Sequence, residues 1–293
     1  MKRTLIFVAL TFGITWGIQI PAGIMLGTFT VGETSAPIML GIMAVTMFVP
    51  LLAAIATNKI VGPSERINLA LRPLISANIK TYLIAWFGPI VLTLLGYVVY
   101  FLANPQLFDP NVALKTIEEK GVQIDPGMVP LMISSTLVSA VVVAPFINAI
   151  VAFGEEAGWR GMLFPSLAER FSTRTAIVVS GVIWGLWHAP VIAMGHNFGM
   201  DYLGFPVFGI LVMTLTCTFF GAFLAWLRMR SGSVWPCALA HGAFNAVANT
   251  GLIFSTCGST LFGPSPLGLV AGIPLLVLGV FCWLRLSPRQ KRD

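Results

Sequence analysis

Charge is what this sequence has least of. Only 10% of its 293 residues are Asp, Glu, Lys or Arg, against roughly a quarter in an ordinary soluble domain. Meanwhile 57% are hydrophobic and the mean hydropathy is +0.89. So few charges cannot shield that much apolar surface from water, which excludes a soluble globule. The same composition excludes a disordered chain and a nucleic-acid-binding domain, and no nucleic-acid partner is expected. Cysteine is scarce as well. Cys217, Cys237, Cys257 and Cys282 form no Cys-x-x-Cys pair, which excludes a disulfide scaffold and leaves them packing roles. No soluble domain, low-complexity tract or convincing internal repeat is present.

What is there is a series of long apolar runs. Crossing ~30 Å of hydrocarbon takes ~20 mostly apolar residues, and the runs fall near 5–27, 37–57, 80–103, 129–154, 175–194, 206–227, 233–254 and 266–286. They predict an all-α, polytopic transmembrane bundle of eight helices, a single integral membrane domain over residues 1–293 in the cell membrane, surrounded by lipid. The first run follows Lys2 and Arg3; it is too long for a cleaved leader and reads as an uncleaved signal anchor. Of the 17 Lys and Arg, all but Lys115 and Lys120 fall on one side of the alternating connections. Those two lie in a polar stretch, about 104–128, beside Asp109, Glu118, Glu119 and Asp125. Basic loops stay inside, so both termini are expected in the cytoplasm. Gly23/Gly27, Gly181/Gly185 and Gly268/Gly272 are small-xxx-small pairs that let helices approach closely.

Charged groups within a span are costly and point to function. They concentrate in three segments: Gly154-Glu155-Glu156-Ala157-Gly158-Trp159-Arg160, Trp184-Gly185-Leu186-Trp187-His188 and His241-Gly242-Ala243-Phe244-Asn245. His241 and Asn245, four apart, share a helix face, as do Glu156 and Arg160. Glu155 and Glu156 diverge by ~100°, so one can face a reaction centre while the other binds Arg160. Trp184, one turn from His188, can wall the site. His196, beside Asn197 and Asp201, reads as a solvated loop residue. For the three segments to meet, the fourth helix must run from about 131 past 160, lining a cavity open to the cytoplasm. Pro165 then favours a break, and 166–174 an interfacial segment.

At these residues the sequence resembles the intramembrane CPBP proteases, the family of the CAAX-processing endopeptidase Rce1 and of bacteriocin-processing and self-immunity proteins. That family carries Glu-Glu-x-x-x-Arg, then Phe-x-x-x-His, then His-x-x-x-Asn. Here these are Glu155, Glu156 and Arg160; Trp184 in place of Phe, with His188; and His241 with Asn245. The motif-bearing core spans about 130–250. Other intramembrane protease motifs are absent from the sequence: no His precedes Glu, and there is no Gly-x-Ser-Gly or Gly-x-Gly-Asp.

The resemblance implies an endopeptidase acting at the cytoplasmic membrane face on a peptide or protein substrate, lipidated or a leader peptide. Glu155, with His188, would polarise a water, and His241 and Asn245 would donate hydrogen bonds to the oxyanion. One such donor is worth ~2.7–4 kcal/mol in the transition state. Glu156 and Arg160 would position the helix. A zinc scheme stays open beside this metal-free one, with Glu155, His188 and His241 as three ligands. Two other readings also remain: a non-catalytic scaffold or immunity protein of the same fold, and an ion-coupled transporter using the buried Glu and His.

Overall fold

The computed structural model describes residues 1–27 and 36–286. Arg289, Lys291 and Arg292, counted above among the basic residues, lie outside the described residues. Among the described residues there is no β-strand, only an isolated antiparallel bridge between Phe108 and Ser255.

The helices are α1 (Lys2–Leu26), α2 (Ala36–Thr46), α3 (Val49–Ile60), α4 (Ile75–Ala103), α5 (Val112–Glu119), α6 (Val129–Val142), α7 (Ala144–Gly158), α8 (Phe164–Ala168), α9 (Thr173–Trp187), α10 (Ala189–Ala193), α11 (Val207–Ser231), α12 (Trp235–Val247) and α13 (Ile273–Arg285). Among the described residues five helical stretches are long and apolar enough to cross a bilayer: Lys2–Leu26, Pro37–Ile60, Ile75–Ala103, Val207–Ser231 and Trp235–Phe254. The α6–α8 stretch, bent by 46°, makes a sixth if it counts as one span. Length and composition therefore support five or six crossings. The eight expected would also need α9 and α13 to cross, and these have 15 and 13 residues.

The burial pattern is that of a bundle in lipid. The buried stripe of α1 is Arg3, Thr4, Phe7, Thr11, Thr15 and Gln19, while Leu5, Ile14, Ile18 and Ile24 face out. A soluble helix hides its apolar face; here hydrocarbon takes that face and the small polar side chains pack inward.

The expected long helix through 155–160 is present but broken. Pro145 cannot donate to the carbonyl of Val141 four residues earlier, and its ring crowds that turn. The chain bends at Val143, and the freed Val141 carbonyl accepts instead from Trp86 Nε1 at 2.8 Å. Beyond α7 the helix widens into a π turn, Trp159–Leu163, and continues to Ala168. Pro165 therefore does not end it, because a proline in the first turn after a π segment needs no donor there. The bend at 169–172 leads into α9, capped by Ser172.

Close helix contacts set the site. A methyl group at Gly242 would lie 2.4 Å from the backbone nitrogen of Ala149, so α12 rests directly on α7. Gly181 and Gly185 likewise lie against the backbone at Thr218 and Thr214 of α11.

One end of the bundle gathers the connections at 61–74, 159–172 and 232–234 with the start of α1 and the end of α13. Arg3 bonds Ser166 and Glu169, Trp235 Nε1 donates to the Leu71 carbonyl, and Arg174 donates to the carbonyls of Trp283 and Leu284. The opposite end joins 104–128 to 250–256, where the Asp109 N–H donates to Phe254 and the Thr256 N–H to Leu107.

Candidate active site

Glu155 and Glu156 are both buried, and they divide as their spacing requires. Glu155 Oε2 accepts from two indoles, Trp184 Nε1 at 2.7 Å and Trp159 Nε1 at 3.1 Å. Its other oxygen makes no bond to these rings. Glu156 turns the other way: Oε1 receives Arg160 at 3.2 Å and His241 Nδ1 at 2.9 Å. The second carboxylate therefore anchors an imidazole as well as the arginine.

Trp184 sits between the groups. Its ring centroid is 6.0 Å from that of His188 and 5.4 Å from that of His241, and the Arg160 guanidinium lies 4.3 Å from it on the ring face. A wall was expected here; the ring also supplies a donor to Glu155.

The two imidazoles are held alike. His188 Nδ1 lies 3.0 Å from the carbonyl of Trp184. A carbonyl only accepts, so Nδ1 carries the proton and Nε2 keeps its lone pair. His241 Nδ1 faces the Glu156 carboxylate, which leaves its Nε2 unused by that pair.

Glu155, His188, His241 and Asn245 all line one cavity of about 320 Å³. Asn245 is exposed within the bundle, while Glu156 and Arg160 sit behind the wall. Apolar lining comes from Met43, Met213, Phe220 and Phe244. Polar lining not anticipated from the motifs comes from Gln19, Asn148, Asn197 and Asn249. Asn148 lies seven residues before Glu155, two helical turns away, and Asn249 lies one turn beyond Asn245, so helical spacing carried both signals. Gln19 Nε2 donates to Thr46, and among the described residues its buried Oε1 has no hydrogen-bond partner. His196, read as a solvated loop residue, is half-buried and lines the same cavity, because the chain after α10 folds back over it.

Among the described residues no group of three His, Cys, Asp or Glu side chains is placed to hold a metal ion. One Glu155 oxygen is committed to two indole N–H groups, while its other oxygen and the Nε2 atoms of both histidines take no part in those bonds. None of the cavity's lining residues comes from the basic connections. Its lining runs from Glu155 and His241 up to His196, Asn197 and Asn249, at the other end. Trp159, Arg160, Phe223, Leu224 and Leu227 fill the bundle on the basic side of the site.

Residues 135–247, which contain all six motif residues, match the family of type II CAAX prenyl endopeptidases described as Rce1-like. That segment is similar to the Rce1-like family. A curated relative is CAAX prenyl protease 2 of Methanococcus maripaludis, 29% identical over 86 residues. That alignment covers 29% of this chain and 32% of the relative, so the chain spans about a third of that protein's length. The Rce1-like segment holds α7, α9 and all of α12, the helices that bring the two glutamates and the two histidines together. Gln19, Leu40 and Met43, from α1 and α2, line the cavity from outside that segment.

Proposed function

We propose that this chain is an intramembrane endopeptidase of the CAAX-protease type, a multi-pass protein of the cell membrane that hydrolyses a peptide bond with a carboxylate-activated water. The observation that carries the reading is the shared cavity. Glu155, His188 and the His241/Asn245 pair come from three separate stretches of chain, and all four residues line the same space.

A water between Glu155 and His188 meets two acceptors, the free Glu155 oxygen and His188 Nε2. Glu155 takes a proton as the water oxygen attacks the carbonyl carbon. The carbonyl oxygen becomes an oxyanion, to which Asn245 Nδ2 donates. His241, when protonated, donates through Nε2 while Nδ1 stays on Glu156. Collapse of the tetrahedral intermediate breaks the C–N bond, and Glu155 returns its proton to the leaving amine. Donors fixed in advance toward the oxyanion carry most of the gain, because they need no reorganisation as charge develops. Arg160 and Glu156 hold His241 in place and touch no substrate. The substrate is a peptide or protein, with a lipidated C-terminal peptide and a leader peptide as its two candidate forms.

The test uses purified protein in detergent with a pool of internally quenched peptides. Glu155→Gln should abolish turnover, and Asn245→Ala should lower kcat by ~10²–10³ with the fold retained. Turnover that survives Glu155→Gln overturns the proposal.

A further inference from the structure

The lining of the cavity spans different heights in the bundle, and its upper residues lie at the end that carries little positive charge. From His241 to Asn249 the chain climbs α12 and its continuation by ~12 Å at 1.5 Å per residue. Asn249 at the top is exposed and lines the cavity. His196 and Asn197, in the connection between α10 and α11, and Leu40, near the start of α2, complete that upper rim. No lining residue comes from 61–74, 159–172 or 228–235, the segments of the basic end.

The path from that basic end is blocked. Arg160 is 4% exposed and Trp159 1%, and Phe223, Leu224 and Leu227 are packed to 2% or less. A peptide approaching from there would have to displace the ion pair that holds His241.

The charge distribution says which end is which. Lys59, Arg66, Arg72, Arg170, Arg174, Arg228 and Arg230 all belong to the blocked end. At the open end Lys115 and Lys120 stand among Asp109, Glu118, Glu119, Asp125 and Asp201. Short loops rich in Lys and Arg remain in the cytoplasm.

We propose that the cavity is entered from the non-cytoplasmic side of the membrane, and that its substrates are peptide segments presented there by translocated or membrane-anchored polypeptides. The substrate class rests on the endopeptidase reading above, whereas the side of entry does not. A lipidated C-terminus held in the cytoplasmic leaflet faces the packed end and has no route to Glu155. The rim amides of Asn197 and Asn249 and the Gln19 Oε1, which has no hydrogen-bond partner among the described residues, suit a polypeptide backbone, whose N–H and C=O groups need partners once they leave water.

The experiment reads side and chemistry separately. In a Cys217→Ala, Cys257→Ser background, single replacements Asn249→Cys, Lys115→Cys and Arg72→Cys are treated with the membrane-impermeant thiol reagent MTSET in intact cells and in sealed inverted vesicles. Asn249→Cys and Lys115→Cys should react in intact cells, and Arg72→Cys only in inverted vesicles. The quenched peptide pool should be cleaved by sealed right-side-out vesicles and not by inverted ones, with Glu155→Gln silent in both. Reaction of Asn249→Cys only in inverted vesicles, or Glu155-dependent turnover only there, overturns the side of entry and leaves the protease reading standing. Labelling from outside with turnover indifferent to Glu155→Gln does the reverse, leaving the side of entry and removing the substrate class.

Discussion

Trp184 Nε1 donates to Glu155 Oε2 at 2.7 Å across 29 residues of sequence. The family pattern has Phe at this position, which fills the same wall and donates nothing. With Trp159 on the same oxygen, the carboxylate is fixed so that one oxygen is occupied and the other remains for water. Trp184→Phe keeps an aromatic ring against both imidazoles and removes only the donor. A hydrogen bond to a charged group is worth ~1.5–3 kcal/mol, so kcat should fall by ~10–100-fold with KM little changed. Steady-state kinetics beside a thermal melt separate this from misfolding; an unchanged kcat would show that Trp159 alone orients Glu155.

Glu156 is fully buried between Arg160 and His241. Removing one partner of a buried ion pair leaves the other charge uncompensated, at a cost of ~3–5 kcal/mol. Glu156→Ala should therefore lower the melting temperature in detergent sharply. Glu156→Gln, which can still bond both neighbours, should lower it less. Because Glu156 touches no cavity space, the two variants should differ in stability more than in KM. Equal melting curves for Glu156→Ala and the parent protein would refute the anchoring role.

The sequence was most informative where it broke its own habit. Ionisable groups are so rare in its apolar runs that Glu155, His188 and His241 stood out without any structure, and the 100° between adjacent helical residues separated Glu155 from Glu156. Which way the cavity opens was not legible. Helical spacing fixes the face and height of a side chain, whereas the plug of Trp159, Phe223, Leu224 and Leu227 is made by residues from two helices that look like any apolar stretch. The bend at Val143 was hidden for a similar reason. Pro145 announces a strained turn, but the partner that satisfies Val141 is Trp86, 55 residues away. His196 looked like a loop residue because nothing local tells a loop over a cavity from one in water.

The approach of α12 to α7 offers the sharpest test of the site as a packed object. Gly242 follows His241 directly, and a methyl group there would meet the Ala149 nitrogen at 2.4 Å and the Pro145 carbonyl oxygen at 2.6 Å. Both are backbone atoms in a helix, so neither can swing aside. Gly242→Ala must therefore push α12 outward, and the bond from His241 Nδ1 to Glu156, 2.9 Å long, is the first contact to stretch. Overpacking of this kind costs ~1–3 kcal/mol, which should appear as a lower melting temperature, while turnover should fall further than the loss of folded protein explains. Gly41→Ala is the control, because nothing among the described residues lies within 4 Å of the added methyl group. If Gly242→Ala melts and turns over like Gly41→Ala, the two helices do not depend on this contact and the placement of His241 against Glu156 must have another cause.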